Sequence, residues 1–139
     1  MKNEELRMKN GLIFEKALGY SNPVTLKSFS FSIQIVKFYR VVLLRTKEFE
    51  PILKQLLRSG TSIGANISES QSAISKKDFV NKLHIALKEP RETEYWLKLL
   101  NEADIIDSKE YLSLYSDCEE LSKLLTSILK TTKNNMKNS

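Results

Sequence analysis

Between Phe79 and Leu100, apolar or compact residues return at alternating steps of four and three: Phe79, Leu83, Ala86, Pro90, Thr93, Leu97 and Leu100. That phase belongs to an α-helix, and it is kept on both sides of Pro90. A proline inside a helix removes one backbone hydrogen bond and crowds the carbonyl four residues earlier, here Ala86. The unbroken phase therefore predicts a helix that kinks at Pro90 and does not end there. A long helix with one apolar face is stable only when that face is covered, so the rest of the chain must supply partners of the same kind.

Three other segments show the same period. The first runs from about Ser28, a candidate N-cap, to Thr46. It carries two stripes: Phe29, Ile33, Val36 and Leu43, and beside them Phe31, Ile35, Phe38 and Val42. Two stripes predict a helix covered on more than one side. The second opens at Pro51, a good first helical residue, and continues to about Ser72, with Leu56, Gly60, Ile63, Ile67 and Ile74 in phase. Gly60 and Gly64 weaken an isolated helix by roughly 1 kcal/mol each but leave a groove into which a neighbouring backbone fits. Ser75 and Asp78 form an approximate capping box before the Pro90 segment. The last helix opens at Asp107 or Ser108, with Glu110 completing a cap, and Tyr111, Leu114, Cys118, Leu121, Leu125 and Ile128 in phase.

Short connections make consecutive helices antiparallel neighbours. The reading is an all-α, up-down-up-down four-helix bundle over residues 28–131. Residues 1–27 form a partly ordered arm, with Leu12, Ile13, Phe14 and Leu18 packing on the bundle or on a second copy. Residues 132–139 form a disordered polar tail. If the turn between the second and third helices centres near Ala73 or Ile74, Arg58 lies level with Pro90, so it pairs with Glu89 or Glu92, in part shielded from water. Loss of one partner would cost about 3–5 kcal/mol if the pair is fully buried. By the same register Glu69 comes within reach of Lys76 or Lys82.

The chain has 139 residues, the size of one domain with one core. Four glycines and three prolines are few for a β-rich fold. The start is polar, no run suits a membrane span, and the single cysteine excludes an internal disulfide. These features fit a cytoplasmic protein. The net charge of +5 is unevenly spread: Lys16 to Lys47 holds six bases and no acid, and Asn101 to Glu120 holds seven acids against Lys109. Such a dipolar chain can bind a polyanion or a second copy of itself.

Catalytic groups do not converge. His84 is the only histidine, flanked by Leu83 and Ile85, which leaves no histidine pair for zinc and no Cys–His nucleophile. Cys118 lies in the apolar stripe of its helix and reads as an inert thiol. SGTSIGAN lacks the lysine of a phosphate loop. Glu89, Glu92 and Glu94 have no second acidic motif at di-metal spacing. The expectation is a protein without catalytic residues, cofactor or metal.

RSGTSIGANISES, residues 58–70, together with KKDFVNKLHIALKEPRETEYWLKLL, residues 76–100, resembles the bacterial four helix bundle protein family, also called the 23S rRNA intervening sequence protein family. The resemblance extends over roughly residues 26–130. Its first motif falls on Arg58, Ser59, Ser62, Ile63, Asn66, Ile67 and Glu69, and its second on Asp78, Phe79, Leu83, Ala86, Glu89 and Glu92. Pro90 departs from the small residue usual in similar sequences. The resemblance implies an antiparallel bundle assembled with copies of itself, often as a pentameric ring around a channel. More distantly the chain is similar to accessory proteins of diversity-generating retroelements, basic pentamers that bind a reverse transcriptase and nucleic acid.

Two functions follow as expectations. The first is homo-oligomeric assembly, with the small and polar stripe Ser59, Ser62, Asn66 and Glu69 suiting close packing or a polar lumen. The second is salt-sensitive binding of RNA or DNA through Lys37, Arg40, Arg45, Lys54, Lys76, Lys77, Lys82 and the lysines of the tail. A reverse transcriptase or other protein partner rests on the family relation alone.

Overall fold

The structure, a computed structural model, describes residues 23–138. These form four helices and no strand: α1 (Pro23–Arg45), α2 (Glu50–Ser70), α3 (Lys76–Glu102) and α4 (Ser108–Lys137), with a 3-10 turn over Lys47–Phe49 between the first two. α1 packs on α2, α2 on α3, α3 on α4, and α4 returns to α1 along a looser seam, tied near both ends of α1 by Lys27–Glu120 and Arg45–Glu110. α1 and α3 lie diagonally across the core. The expected antiparallel four-helix arrangement is the one observed.

The chain punctuates itself as local chemistry requires. α1 begins at Pro23, whose missing N–H is no loss at a first helical position. Ser28 is therefore not the N-cap; it is buried inside α1, and its hydroxyl donates to the Thr25 carbonyl at 3.1 Å. Pro51 lies within the first turn of α2. At α3 the Ser75 hydroxyl accepts from the Asp78 N–H, but the Asp78 carboxylate takes the Ile74 N–H, so the cap is only half reciprocal. At α4 the reciprocal capping box is complete: Asp107 Oδ1 accepts from Glu110 N at 2.7 Å, and Glu110 Oε1 accepts from Asp107 N. Glu110 Oε1 also holds Arg45 at 2.7 Å, which ties the end of α1 to the start of α4.

α3 runs through Pro90 without interruption. It ends in paired turns from Ile105 N to Leu100 O and from Asp104 N to Asn101 O, with Asp104 at φ 58°. This is the geometry of a Schellman motif, with aspartate in the left-handed position usually given to glycine. α4 continues to Lys137, so the tail expected to be disordered from residue 132 is helical nearly to its end. The expected arm loses its last residues to α1, and Leu12, Ile13, Phe14 and Leu18 lie outside the described residues.

The core takes Phe31, Ile35 and Val42 from α1, Leu53, Leu56, Ile63 and Ile67 from α2, Leu83, Ala86, Leu97 and Leu100 from α3, and Leu121 and Leu125 from α4. Each fully buried Leu or Ile contributes about 1.5–3 kcal/mol, against the chain entropy of ordering the helices. Gly60 and Gly64 bring α1 close to α2. A Cβ on Gly60 would lie 2.9 Å from Ile35 Cγ1, and one on Gly64 would lie 3.0 Å from Ser32 Oγ and 3.2 Å from the Ser28 carbonyl. The backbone that the glycine groove accommodates is thus the chain's own α1.

Candidate functional site

Most of the motif residues meet along the seam between α2 and α3. Arg58 projects from α2 with its Nε donating to Gln55 Oε1 at 3.3 Å, and its guanidinium reaches across to two carboxylates of α3. One terminal nitrogen bonds Glu92 Oε1; the other lies 3.7 Å from Glu89 Oε2. Trp96 Nε1 donates to the same Glu92 oxygen at 3.3 Å. The register argument thus places Arg58 correctly, between both carboxylates. About half of the Arg58 side chain is exposed, so this is a shielded surface fork and not a buried pair.

Deeper in the seam, Ser59 is fully buried, with its hydroxyl donating to the Leu56 carbonyl and accepting from Thr93 Oγ1 at 3.0 Å. Thr93 also lies 2.8 Å from the Glu89 carbonyl. Ser59 is consequently an internal link between two helices of one chain and lines no lumen. Ser62 bonds the Arg58 carbonyl and Asn66 Nδ2 the Ser62 carbonyl, each on its own helix. Glu69 is exposed and in no ion pair among the described residues, so the expected contact with Lys76 or Lys82 is not made. Ile63 and Ala86 are in the core and Phe79 packs half-buried against it.

Glu89 carries the electrostatic tension of the seam. Burial, and then the neighbouring Glu92 charge, push its carboxyl above the usual value, and Arg58 only partly opposes them. Its Oε2 is buried with no hydrogen-bond partner. The 3.7 Å approach to Arg58 is too long for a charge-assisted hydrogen bond, which explains why burial prevails over the ion pair. Beyond this seam, His84 is exposed and Cys118 is buried, its Sγ 3.3 Å from the Pro90 carbonyl. Burial, reinforced by Glu94 and Asp117, pushes the Cys118 thiol far above its ordinary range. No cluster that would hold a metal ion occurs among the described residues.

The bases singled out as nucleic-acid contacts do not form one patch. Arg45 is engaged by Glu110 and Lys54 by Glu50. Lys37 and Arg40 lie on the outer surface of α1, whereas Lys76 and Lys77 stand at the opposite end of the bundle, with Lys82 half-buried one turn beyond them. The two apolar stripes of α1 were expected to be covered on more than one side, but within one chain not all of these residues face inward. Phe31, Ile35 and Val42 do, and Leu26, Phe29, Ile33, Val36, Val41 and Leu44 remain in solvent, with Val36 49% and Leu44 75% exposed. No helix among the described residues is long and apolar enough to cross a membrane.

This arrangement has known counterparts. The family described as 23S rRNA-intervening sequence protein matches residues 21–127. Among solved structures, the chain is similar to a protein of unknown function from the S23 ribosomal protein family of Bacteroides thetaiotaomicron. The two share 50% identity over 77% of this chain and 98% of that one, with a TM-score of 0.73. Among curated proteins none matches.

Proposed function

This chain belongs to the 23S rRNA-intervening sequence protein family, and from that premise we propose that it works without catalysis, by assembling with copies of itself. The observation that carries the reading is the outer face of α1. Leu26, Ile33, Val36 and Leu44 follow one another along the side of α1 turned away from the core. From Leu26 to Val36 the apolar run is about 15 Å long at 1.5 Å per residue, and Lys37 and Arg40 stand on the same outer face before Leu44. An apolar strip of this extent marks a contact surface, and a helix apolar on both sides is one built to be covered on both.

A ring, such as the pentamer implied by the resemblance, needs two different faces on each copy. α3 lies diagonally opposite α1 and exposes Ile85 and Tyr95, which makes its outer surface the natural second face. The Ser62, Asn66 and Glu69 stripe on α2 would then border the joint.

The test is solution mass by light scattering on protein freed of nucleic acid, alongside an Ile33→Glu, Val36→Glu variant. Both residues are exposed, so the variant should keep the helical content of the parent by circular dichroism. The parent should be an oligomer and the variant a monomer. A monomeric parent, or a variant that assembles unchanged, would overturn the reading.

A further inference from the structure

We infer that the end of the bundle where the first turns of α3 meet the last turns of α4 is a docking strip for the phosphodiester backbone of a nucleic acid. A groove of about 410 Å³ lies there, bounded by Lys77 and Asn81 on one wall and by Lys130, Lys133, Asn134 and Lys137 on the other. Its floor is apolar, formed by Val80, which is almost wholly buried, and by Met136. All four lysines are exposed, so their stems can cover this floor while the ammonium groups stay in water. None of the four lysines is in an ion pair among the described residues. No acid follows Glu120 in the sequence, and the nearby Asp78 carboxylate is occupied by the Ile74 N–H.

Helix stability does not account for this cluster. Lysines near the end of α4 suit the negative end of its dipole, but Lys77 stands in the first turn of α3, where the dipole disfavours a cation. The spacing points to a repeating anion. Lys130, Lys133 and Lys137 share one side of α4 and span about 10 Å at 1.5 Å per residue. One strand of a duplex advances about 3.4 Å per phosphate, so a run of four phosphates spans about the same 10 Å as the three lysines, with Lys77 available across the groove. Asn81 and Asn134 add amide donors of the kind that bind phosphate oxygens. No aromatic residue lines the groove, so nothing there stacks on bases. The contact is with the backbone and does not read sequence. A membrane surface fits less well, because Val80 is sunk beneath the rim and presents nothing to insert. The strip is independent of the α1 face, and an oligomer would present it once per subunit, which raises avidity.

Fluorescence anisotropy with short labelled RNA and DNA duplexes tests the proposal, with anionic phospholipid vesicles as a comparison. About four phosphates neutralised per site predicts a salt slope near −3.6, or about a hundred-fold weaker binding on raising salt from about 50 to 200 mM. Lys77→Gln, Lys133→Gln, Lys137→Gln should lose at least about ten-fold in affinity at low salt. Lys37→Gln, Arg40→Gln, which removes charge elsewhere, should lose less than half as much on a logarithmic scale. Asn81→Asp, a single exposed change, should weaken binding in the same direction, which guards against a triple variant that misfolds. Equal losses at both places, undiminished binding by the variants, no duplex binding at low salt, or equally tight binding to the vesicles would each overturn the inference. So would a fall in solution mass on replacing these lysines, since the groove would then hold the acidic 101–120 segment of another copy.

Discussion

Glu89 shows how a seam can be specified at some cost to stability. Its carboxyl is raised above the ordinary value of 4.5, so the folded chain holds that proton more tightly than the unfolded chain does. The folded state therefore bears a penalty at neutral pH, which fades as pH falls through the raised value and is gone below about 4.5. Glu89→Gln should be more stable than the parent at pH 7, with the difference vanishing near pH 4 in urea titrations. Arg58→Ala is expected to cost only about 1 kcal/mol, because the fork is half in solvent. That is below the figure expected for a buried pair, and the denaturation midpoint measures it. The sequence revealed the partners of Arg58 through helix register alone. It pointed to partial shielding but not to its extent, because exposure depends on how far each helix is turned about its own axis. For the same reason the sequence left the Ser59 stripe between close packing and a polar lumen, and Ser59 proved to be an internal link to Thr93.

At the scale of the helices, two positions oppose intrinsic propensity and do so for different reasons. Pro90 lies buried in α3 and leaves the Ala86 carbonyl without its usual partner. Pro90→Ala regains about 3 kcal/mol of helix propensity and loses about 2 kcal/mol of buried ring, so a gain of about 1 kcal/mol is expected on thermal unfolding. Gly64 behaves oppositely. Alanine there favours the helix by about 1 kcal/mol, but its Cβ would press on the Ser28 carbonyl, a backbone atom that moves only if α1 moves. Gly64→Ala should lower stability by about 1–3 kcal/mol, the usual cost of overpacking. The helices themselves were legible because their apolar phases were long. Their ends were less so. Ser28 looked like a cap because serine caps are common, while Pro23 offered an equally valid start. The last turns of α4 looked like a tail because Thr131, Lys133 and Asn134 are polar, although Leu129 and Met136 pack on the core. The tail lysines and Lys77 were both read as phosphate contacts, but with no helix assigned to the tail the groove they form together was not foreseeable.

In the molecule as a whole, α1 and α4 are the helices least held by their own chain, since the seam they share is the loosest of the four. If the α1 face is covered by another copy, its amide protection should depend on protein concentration. Hydrogen exchange on progressive dilution should release α1 amides first, while those of α2 and α3, which are held by neighbours on both sides, stay protected. Uniform release would mean that α1 is no more exposed by dissociation than the rest. One feature makes such experiments unusually direct. The only sulfhydryl is sealed against the Pro90 carbonyl and kept protonated by its surroundings. Maleimide dyes should therefore ignore the native protein. A cysteine introduced on the outer surface becomes a unique attachment point without deleting the natural one, so distances between subunits can be read by energy transfer on an otherwise unaltered chain.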